Sequence, residues 1–230
     1  MSRTAVISQP TYLPWLGYLR LVAAADVFVV LDDVQFARRS WQSRNRILGP
    51  QGEVLLTVPV RKQPRETLIA DILIDDRQRW WEAHLSAIRD AYWKRPAFDE
   101  GYAVLDEVLR RHDWNLASFN SAIIEAVARR LDLQTEFVRA SALACGGARS
   151  EHLLAICKAV GATDYLSTTG SADYMAQDGV FEAAGFPVRF ESYAPVPYPQ
   201  GREPFVPYLS FVDALMNVGW EGLGALIREA

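Results

Sequence analysis

Cysteine is scarce in this sequence, which contains only Cys145 and Cys157 among its 230 residues. The two lie far apart and no Cys-x-x-Cys pair is present, which excludes a disulfide scaffold and favours a reduced, cytoplasmic protein. Histidine is nearly as rare, with three residues in all. These are widely separated and none has the spacing of a metal-binding motif. We therefore expect no metal site.

Long apolar runs and runs of one charge are also missing. The longest apolar stretch, 19–31, contains Arg20 and Asp26 and is shorter than the roughly 20 apolar residues of a membrane span. The first residues lack the apolar centre of a signal peptide. The net charge is −4, without five consecutive like charges. Because DNA binding needs a basic surface, these features predict a cytoplasmic protein with no membrane span and no DNA partner.

Several nucleotide and hydrolase motifs are absent as well. The sequence has no GxGxxG, no phosphate-binding GxxxxGK[ST] loop and no GxSxG. Dinucleotide-dependent, kinase and esterase functions therefore have no support from motifs.

The apolar pattern that is present predicts an α/β protein. Residues 4–8 and 27–31 are short β-branched or continuous apolar runs, and 15–25 between them has helical spacing, which together make a βαβ unit. Gly49-Pro50-Gln51-Gly52 predicts a hairpin, and Ile69 to Ile74 predicts another strand. An all-helical insertion follows over about 77–131. Further strands are expected at 135–140, 164–167 and 188–191, in a single domain, 1–230.

Polar side chains follow the first two predicted strands. Gln9 follows the first, and Asp32 and Asp33 follow the second. Ligands bind at the carboxyl ends of parallel strands, so we expect these residues to line one crevice. Asp32 or Asp33 would hold an ammonium group or act as a general base. The alternative is that the pair caps a turn.

A basic loop follows the second strand and contains Arg38, Arg39, Arg44 and Arg46. A guanidinium group can bind a phosphate or a carboxylate through two hydrogen bonds, so a diphosphate or a carboxylate is the expected ligand. A solvated basic loop is the alternative.

Two further sets of residues are candidates for ligand contact. Trp41 and Tyr18 could stack on a sugar or a base, although Tyr18 could equally be a core residue. Near the C-terminus, polar and aromatic groups surround the start of a helix, which is a natural anion site. They are Tyr198, Gln200, Ser210 and Asp213. The alternative for this second set is a proline-rich strap that closes the sheet, with a capped helix behind it.

Segments along nearly the whole chain resemble the WbqC-like protein family. The resemblance is carried by Gln9-Pro10-Thr11-Tyr12-Leu13-Pro14-Trp15-Leu16-Gly17-Tyr18, Asp32-Asp33-Val34-Gln35-Phe36, Trp41-Gln42-Ser43-Arg44-Asn45-Arg46, Tyr198-Pro199-Gln200 and the run 205–213. It implies a bacterial protein of surface-polysaccharide (O-antigen) or amino-sugar natural product biosynthesis. The chemistry proposed for the family is transfer of glycine or another acyl group to an amino sugar.

The opening segments are also similar, at the level of the fold, to pantoate–β-alanine ligase. That similarity implies a Rossmann-like, nucleotidylyltransferase-like fold. Those enzymes use two histidines in an HxGH turn to form an acyl adenylate. The matching turn here, Pro14 to Tyr18, has no histidine, which argues against activation by ATP through that route.

The resemblance leads to an acyl- or aminoacyltransferase with a small amino sugar or other amine as acceptor. Asp32 or Asp33 would recognise or deprotonate the amine, and Arg44 would hold a phosphate or the carboxylate of the donor. The residues expected to position the substrates are Gln9, Tyr12, Trp15, Tyr18, Gln35, Trp41, Asn45, Tyr198, Gln200, Ser210 and Asp213.

The donor and the class of protein both stay open at this stage. The donor could be a thioester, an aminoacyl-tRNA or an ATP-derived adenylate, and a homodimer is compatible with the sequence. The alternatives to a transferase are a non-catalytic module that binds an amino sugar or a partner enzyme, and an ATP-dependent amide ligase.

Overall fold

A computed structural model of the chain describes residues 2–110 and 113–229. The strands are β1 (Thr4–Ser8), β2 (Val27–Val30), β3 (Arg44–Gly49), β4 (Gly52–Thr57), β5 (Glu136–Arg139), β6 (Asp164–Thr168) and β7 (Val188–Glu191). The helices are α1 (Leu16–Ala24), α2 (Trp80–Tyr92), α3 (Phe98–Arg110), α4 (Leu116–Arg130), α5 (Ala140–Leu143), α6 (Ser150–Ala159), α7 (Ala172–Asp178), α8 (Val180–Ala183) and α9 (Phe211–Glu229). The predicted helical segment 77–131 corresponds to α2, α3 and α4, except that 111 and 112 lie outside the described residues.

The five parallel strands form one sheet in the order β5-β2-β1-β6-β7. From β1 the chain builds outward through β2 to β5, then returns and builds outward in the other direction through β6 to β7. The strand order therefore reverses between β1 and β6, as in doubly wound α/β proteins, and the carboxyl ends of the strands at that point border a crevice. This architecture, with its separate β3–β4 hairpin, confirms the predicted fold class.

The central strands are apolar because helices cover both faces of the sheet. Every residue of β2 is buried, and its side chains alternate between two cores. Phe28 and Val30 pack with α1 and α4 on one face, whereas Val27 and Val29 pack with α6 on the other. A third and larger core joins α2, α3, α4 and α9 to the hairpin.

The prediction of a strand at Ile69–Ile74 is wrong. Residues Ile69–Asp71 form one turn of 3-10 helix, and single bridges pair Leu68 with Gln35, Ile74 with Val60, and Leu73 with Asn115. The buried residues are Ile69, Ile72 and Ile74, so burial does not follow the alternation of a strand. The segment crosses three neighbouring parts of the chain, and it pairs with none of them for long enough to form a strand.

The last helix begins at Phe211, directly after Ser210 as expected, and breaks at Gly219, where φ is 69°. Helix then resumes and ends at Glu229. Gly222 and Gly224 are poor helix formers, but burial of Leu223, Leu226 and Ile227 in the large core holds this half in place. No helix in the described parts of the chain is both long and apolar enough to cross a membrane.

Candidate functional site at the carboxyl edge of the sheet

Asp32 follows β2 and has no exposed surface. Its carboxylate accepts hydrogen bonds from Arg139 Nε at 2.7 Å, from the Ser141 backbone N at 2.9 Å and from Ser141 Oγ at 2.9 Å. Arg139 ends β5 and Ser141 lies in α5, so the carboxylate joins two neighbouring strand ends. With three donors and no accessible oxygen, Asp32 is a positioning residue in this structure.

Replacing Asp32 with alanine should lower the free energy of unfolding by about 2 kcal/mol. The substitution removes the acceptor for three donors. Part of this cost is recovered because the Arg139 side chain is more than a third exposed and can turn to water. Urea denaturation of the purified variant measures the change. A variant as stable as the wild type would contradict the positioning role.

Asp33 differs from its neighbour because its side chain keeps 17% exposure. Its carboxylate lies 3.1 Å from Nε2 of His152, and Nδ1 of that ring lies 3.2 Å from the carbonyl oxygen of Gly146. Both ring nitrogens therefore face oxygen atoms, which hold the ring in place from two sides. Asp33 retains lone pairs and access to solvent, so it is the carboxylate at this edge that can meet a ligand.

A cleft of about 360 Å³ opens beside this pair. Its lining residues are Leu31, Val34, Arg149, His152, Leu153 and Tyr174. The Arg149 guanidinium lies 5.5 Å from the centre of the Tyr174 ring and 3.3 Å from the Asp178 carboxylate. Burial raises the pKa of Tyr174 above its usual value. The cleft therefore combines an apolar floor with one cation and one histidine, which suits a small polar substrate.

Gln9, at the end of β1, connects the sheet to the loop that follows β2. Its exposed side chain accepts a hydrogen bond from Gln42 Nε2 at 2.8 Å, and Gln42 Oε1 accepts one from the Ala37 backbone at 3.1 Å. Asn120 on α4 donates to the backbone of Pro10 and Gln42. These bonds fix the start of the basic loop against the crevice.

Six cationic side chains line a second cleft of about 550 Å³ next to this loop, which we name the basic cleft. They are Arg38, Arg39, Arg44, Arg61, Lys62 and Arg65. Gln35 lies at its edge and donates to the Arg65 carbonyl oxygen at 2.8 Å. Sequence analysis found Arg38, Arg39 and Arg44, but missed the three that come from the segment after β4.

Arg46 lies outside the basic cleft and lines a neighbouring pocket. Its Nη1 pairs with Glu53 at 2.7 Å, and its guanidinium lies 5.9 Å from the centre of the Trp41 ring. Trp41 is half exposed, whereas Trp15 is half buried against Tyr193 and Tyr208. The pocket that they border is named the aromatic pocket, and its lining residues are Thr11, Trp15, Trp41, Asn45, Arg46 and Tyr208.

Tyr12, Tyr18 and Asn45 were expected to contact substrate, and the structure buries all three. The Tyr12 hydroxyl lies 2.9 Å from His84 Nδ1, and the Tyr18 hydroxyl donates to the Gln9 carbonyl oxygen at 3.1 Å. Asn45 donates to the carbonyl oxygens of Tyr12 and Leu13. Their polar groups shape the loop after β1, and only Asn45 also borders a pocket.

The C-terminal set forms a buried network of its own, away from solvent. Asp213 accepts hydrogen bonds from Tyr92 at 2.7 Å, Tyr198 at 2.8 Å and Gln200 at 3.0 Å. Burial raises the pKa of Asp213, and these bonds oppose the rise. Gln200 also bonds to both backbone groups of Val206, and Ser210 Oγ accepts from the Val212 backbone. This geometry is that of a strap held over a capped helix, the second of the two interpretations above.

His152, Arg61, Lys62 and Arg65 are the candidate residues that sequence reasoning did not find. His152 lies 119 positions from Asp33, and only the strand order brings the two together. Within 2–110 and 113–229, no group of three or more His, Cys, Asp or Glu side chains is arranged to hold a metal ion.

The strand order defines a doubly wound α/β protein, and the Asp33–His152 pair and the basic cleft are its candidate sites. Comparison with known proteins gives the particular family. The model of the WbqC-like protein family matches residues 9–224, and the chain belongs to this family. It is similar to the uncharacterized protein Rv1507c of Mycobacterium tuberculosis, with 31% identity over 224 residues, which is 96% of each chain. No solved structure matches.

Proposed function

We propose that this protein transfers an acyl or aminoacyl group, such as glycyl, to the amine of an amino sugar or aminoglycoside-like acceptor, in surface-polysaccharide or natural product biosynthesis. The observation that carries the proposal is the Asp33–His152 pair at the carboxyl edge of the sheet, in which the Asp33 side chain stays partly exposed and His152 lines the adjoining cleft. The acceptor class comes from the family resemblance, and the pair supplies groups suited to an amine.

Asp33 has the properties needed to bind and deprotonate an amine. His152, whose other ring nitrogen lies 3.2 Å from the Gly146 carbonyl oxygen, contacts the Asp33 carboxylate and orients it. An ammonium group would donate to the exposed Asp33 oxygen and be fixed beside the acyl donor. Asp32, saturated by Arg139 and Ser141, holds the strand end from which Asp33 projects.

The bound ammonium first loses one proton to solvent, because only a neutral amine is a nucleophile, and Asp33 accepts the second. The amine nitrogen forms a bond to the acyl carbonyl carbon, and the bond from that carbon to the leaving sulfur or oxygen breaks. The nitrogen loses a proton to Asp33, which passes it to the leaving group, so an amide and a protonated carrier result. Arg44 and the other cations of the basic cleft would hold an anionic part of one substrate.

A cytoplasmic location and a homodimer belong to this proposal. Thioesters, aminoacyl-tRNA and ATP-derived adenylates are all donors made in the cytoplasm, and the proposal is compatible with each.

Mass spectrometric detection of an amide product tests the proposed function. The purified chain is incubated with glucosamine or a nucleotide-linked amino sugar and with one of three glycyl donors: a thioester, glycyl-tRNA, or glycine with ATP. Product formed with one donor, and absent with heat-denatured protein, is the expected result. If the protein exchanges pyrophosphate into ATP only when glycine is present, it is an amide ligase instead.

Binding without turnover under every donor would favour a non-catalytic module. Trp93 and Trp41, each at least half exposed, are the aromatic side chains that a partner surface could use, because Trp80 is buried and Trp81 is partly buried. The product assay and a binding measurement on the same preparation therefore separate the three classes.

A further inference from the structure

The basic cleft concentrates positive charge in a protein whose net charge is −4. Five arginines and one lysine line it, and no acidic side chain does. None of the six forms an ion pair within the residues that the structure describes. Asp75, which is influenced by Arg61, is already paired with Arg77. A cleft lined by one sign of charge attracts a counter-ion, so the ligand expected here is an anion.

The donor chemistry of the cleft points to phosphate oxygens. Arg38 donates to the Gln63 carbonyl oxygen at 2.6 Å, whereas the side chains of Arg39, Arg44, Arg61 and Arg65 make no hydrogen bond within the described ranges. Guanidinium groups with free donors from two separate segments can contact adjacent phosphates through paired hydrogen bonds. The volume of about 550 Å³ is that of a small-molecule site.

The aromatic pocket adds a second, independent indication of a ligand. It has a volume of about 460 Å³, and two of its aromatic rings, Trp41 and Tyr208, are 50% and 49% exposed. Arg46 and Asn45 add polar groups to its lining. Exposed aromatic rings beside polar groups suit contact with a ring such as a nucleobase or a sugar.

Residues that are close along the chain line the two pockets. Arg44 on β3 lines the basic cleft, and Asn45 and Arg46, which follow it, line the aromatic pocket. The backbones of Arg44 and Arg46 are separated by about 7 Å, because they lie two residues apart in a strand. Arg39 and Trp41, also two apart, line the two pockets in the same order. One ligand with a ring at one end and phosphates at the other can therefore occupy both.

The geometry points to a binding site for a nucleoside diphosphate group, with its diphosphate in the basic cleft and its ring in the aromatic pocket. Such a group is common to a nucleotide-linked sugar, to ADP or ATP, and to coenzyme A. The inference rests on the proposed function only in assigning the group to one of the two substrates of that reaction.

Isothermal titration calorimetry of the full chain with UDP-N-acetylglucosamine, ADP and coenzyme A tests this site. Inorganic pyrophosphate, uridine and adenosine serve as the separate halves of these ligands. At least one of the three complete nucleotides should bind about tenfold more tightly than pyrophosphate. A higher salt concentration should weaken the binding of that nucleotide. The ligand preferred among the three identifies the source: acceptor sugar, adenylate or thioester donor.

Variants connect the binding to the two pockets. The double variant Arg44→Gln, Arg61→Gln should bind both the preferred nucleotide and pyrophosphate about 30-fold or more weakly. Trp41→Ala should lower the affinity for the nucleotide about tenfold and leave the affinity for pyrophosphate unchanged. Arg129→Gln, an exposed cation on α4, is the matched control and should change neither. Thermal melting of each variant verifies folding, and Arg61→Gln alone provides a milder change at an exposed position.

Three results would overturn the inference. The first is that no nucleotide binds more tightly than inorganic pyrophosphate. The second is that Arg129→Gln weakens binding as much as the cleft variants do, and the third is that a single-stranded RNA binds more tightly than every nucleotide. Asp33→Asn separates this inference from the proposed function, because it should leave nucleotide binding unchanged. If Asp33→Asn retains turnover, the proposed role of Asp33 in catalysis is refuted. If substitution of Arg44, Arg61 and Trp41 leaves nucleotide affinity unchanged, the binding site is refuted.

Discussion

Asp33→Asn is expected to lower the turnover number for amide formation at least 100-fold, the lower end of what loss of a general base costs. The amide side chain of asparagine keeps the size of the carboxylate and can still accept a hydrogen bond from His152. It cannot take a proton from the amine. The loss should therefore appear in the rate constant of the chemical step.

The stability of this variant should stay within about 1 kcal/mol of the wild type, because Asp33 is partly exposed and has one side-chain partner. Asp90→Asn, an exposed carboxylate on α2, is the matched control and should retain full activity. A turnover number within twofold of the wild type in Asp33→Asn would refute the assignment.

His152 tests whether the pair acts as a unit. His152→Gln removes the imidazole beside Asp33 while leaving a hydrogen-bond donor. A positioning role predicts a lower turnover number with the KM for the amine little changed, because the Asp33 carboxylate loses the contact that orients it. A purely structural role would lower stability and leave the turnover number of the folded protein in place.

The sequence could not separate Asp32 from Asp33, although it predicted their common location. Both follow the same strand and have the same chemistry. What distinguishes them is the position of Arg139, 107 positions further along, and of Ser141, which together occupy Asp32 and leave Asp33 open. Such differences depend on which strands are neighbours, and periodicity alone does not give the order of strands.

The fold was predictable where local signals were strong. Continuous apolar runs gave β1 and β2, and the glycine turn gave the β3–β4 hairpin. The strand expected at Ile69–Ile74 does not form, because residues 68, 73 and 74 each make a single bridge to a different part of the chain. The basic cleft was half predicted for the same reason: Arg38 and Arg44 belong to one loop and strand, whereas Arg61 reaches the cleft only once the hairpin has folded back.

His84 is buried on α2 among the rings of Tyr12 and Trp80. Its Nδ1 lies 2.9 Å from the Tyr12 hydroxyl, and the ring also bonds to the backbone of Thr57 at the end of β4. Burial lowers the pKa of His84 to about 4, because the imidazolium would lose its hydration. The folded protein therefore keeps this ring neutral in mild acid.

The sign of the pH dependence follows from proton counting. Between pH 6.5, the ordinary pKa of histidine, and about 4, the unfolded chain binds a proton that the folded chain does not. Neutral His84 therefore makes its full contribution to the free energy of unfolding above pH 6.5. That free energy should fall by about 3 kcal/mol as the pH drops to 4. Asp213, whose pKa is raised by burial, acts in the opposite direction, since its folded form binds the extra proton above pH 3.8.

Comparison with His84→Gln isolates the histidine, because Asp213 contributes equally to both proteins. Glutamine can accept the hydrogen bond of Tyr12 and donate to Thr57 without taking up a proton. Urea denaturation at a series of pH values should show the wild type losing about 3 kcal/mol more than the variant between pH 6.5 and 4. Parallel curves for the two proteins would mean that His84 gains its proton as readily in the folded chain as in the unfolded one, and that its burial between α2 and the hairpin is relieved before it titrates.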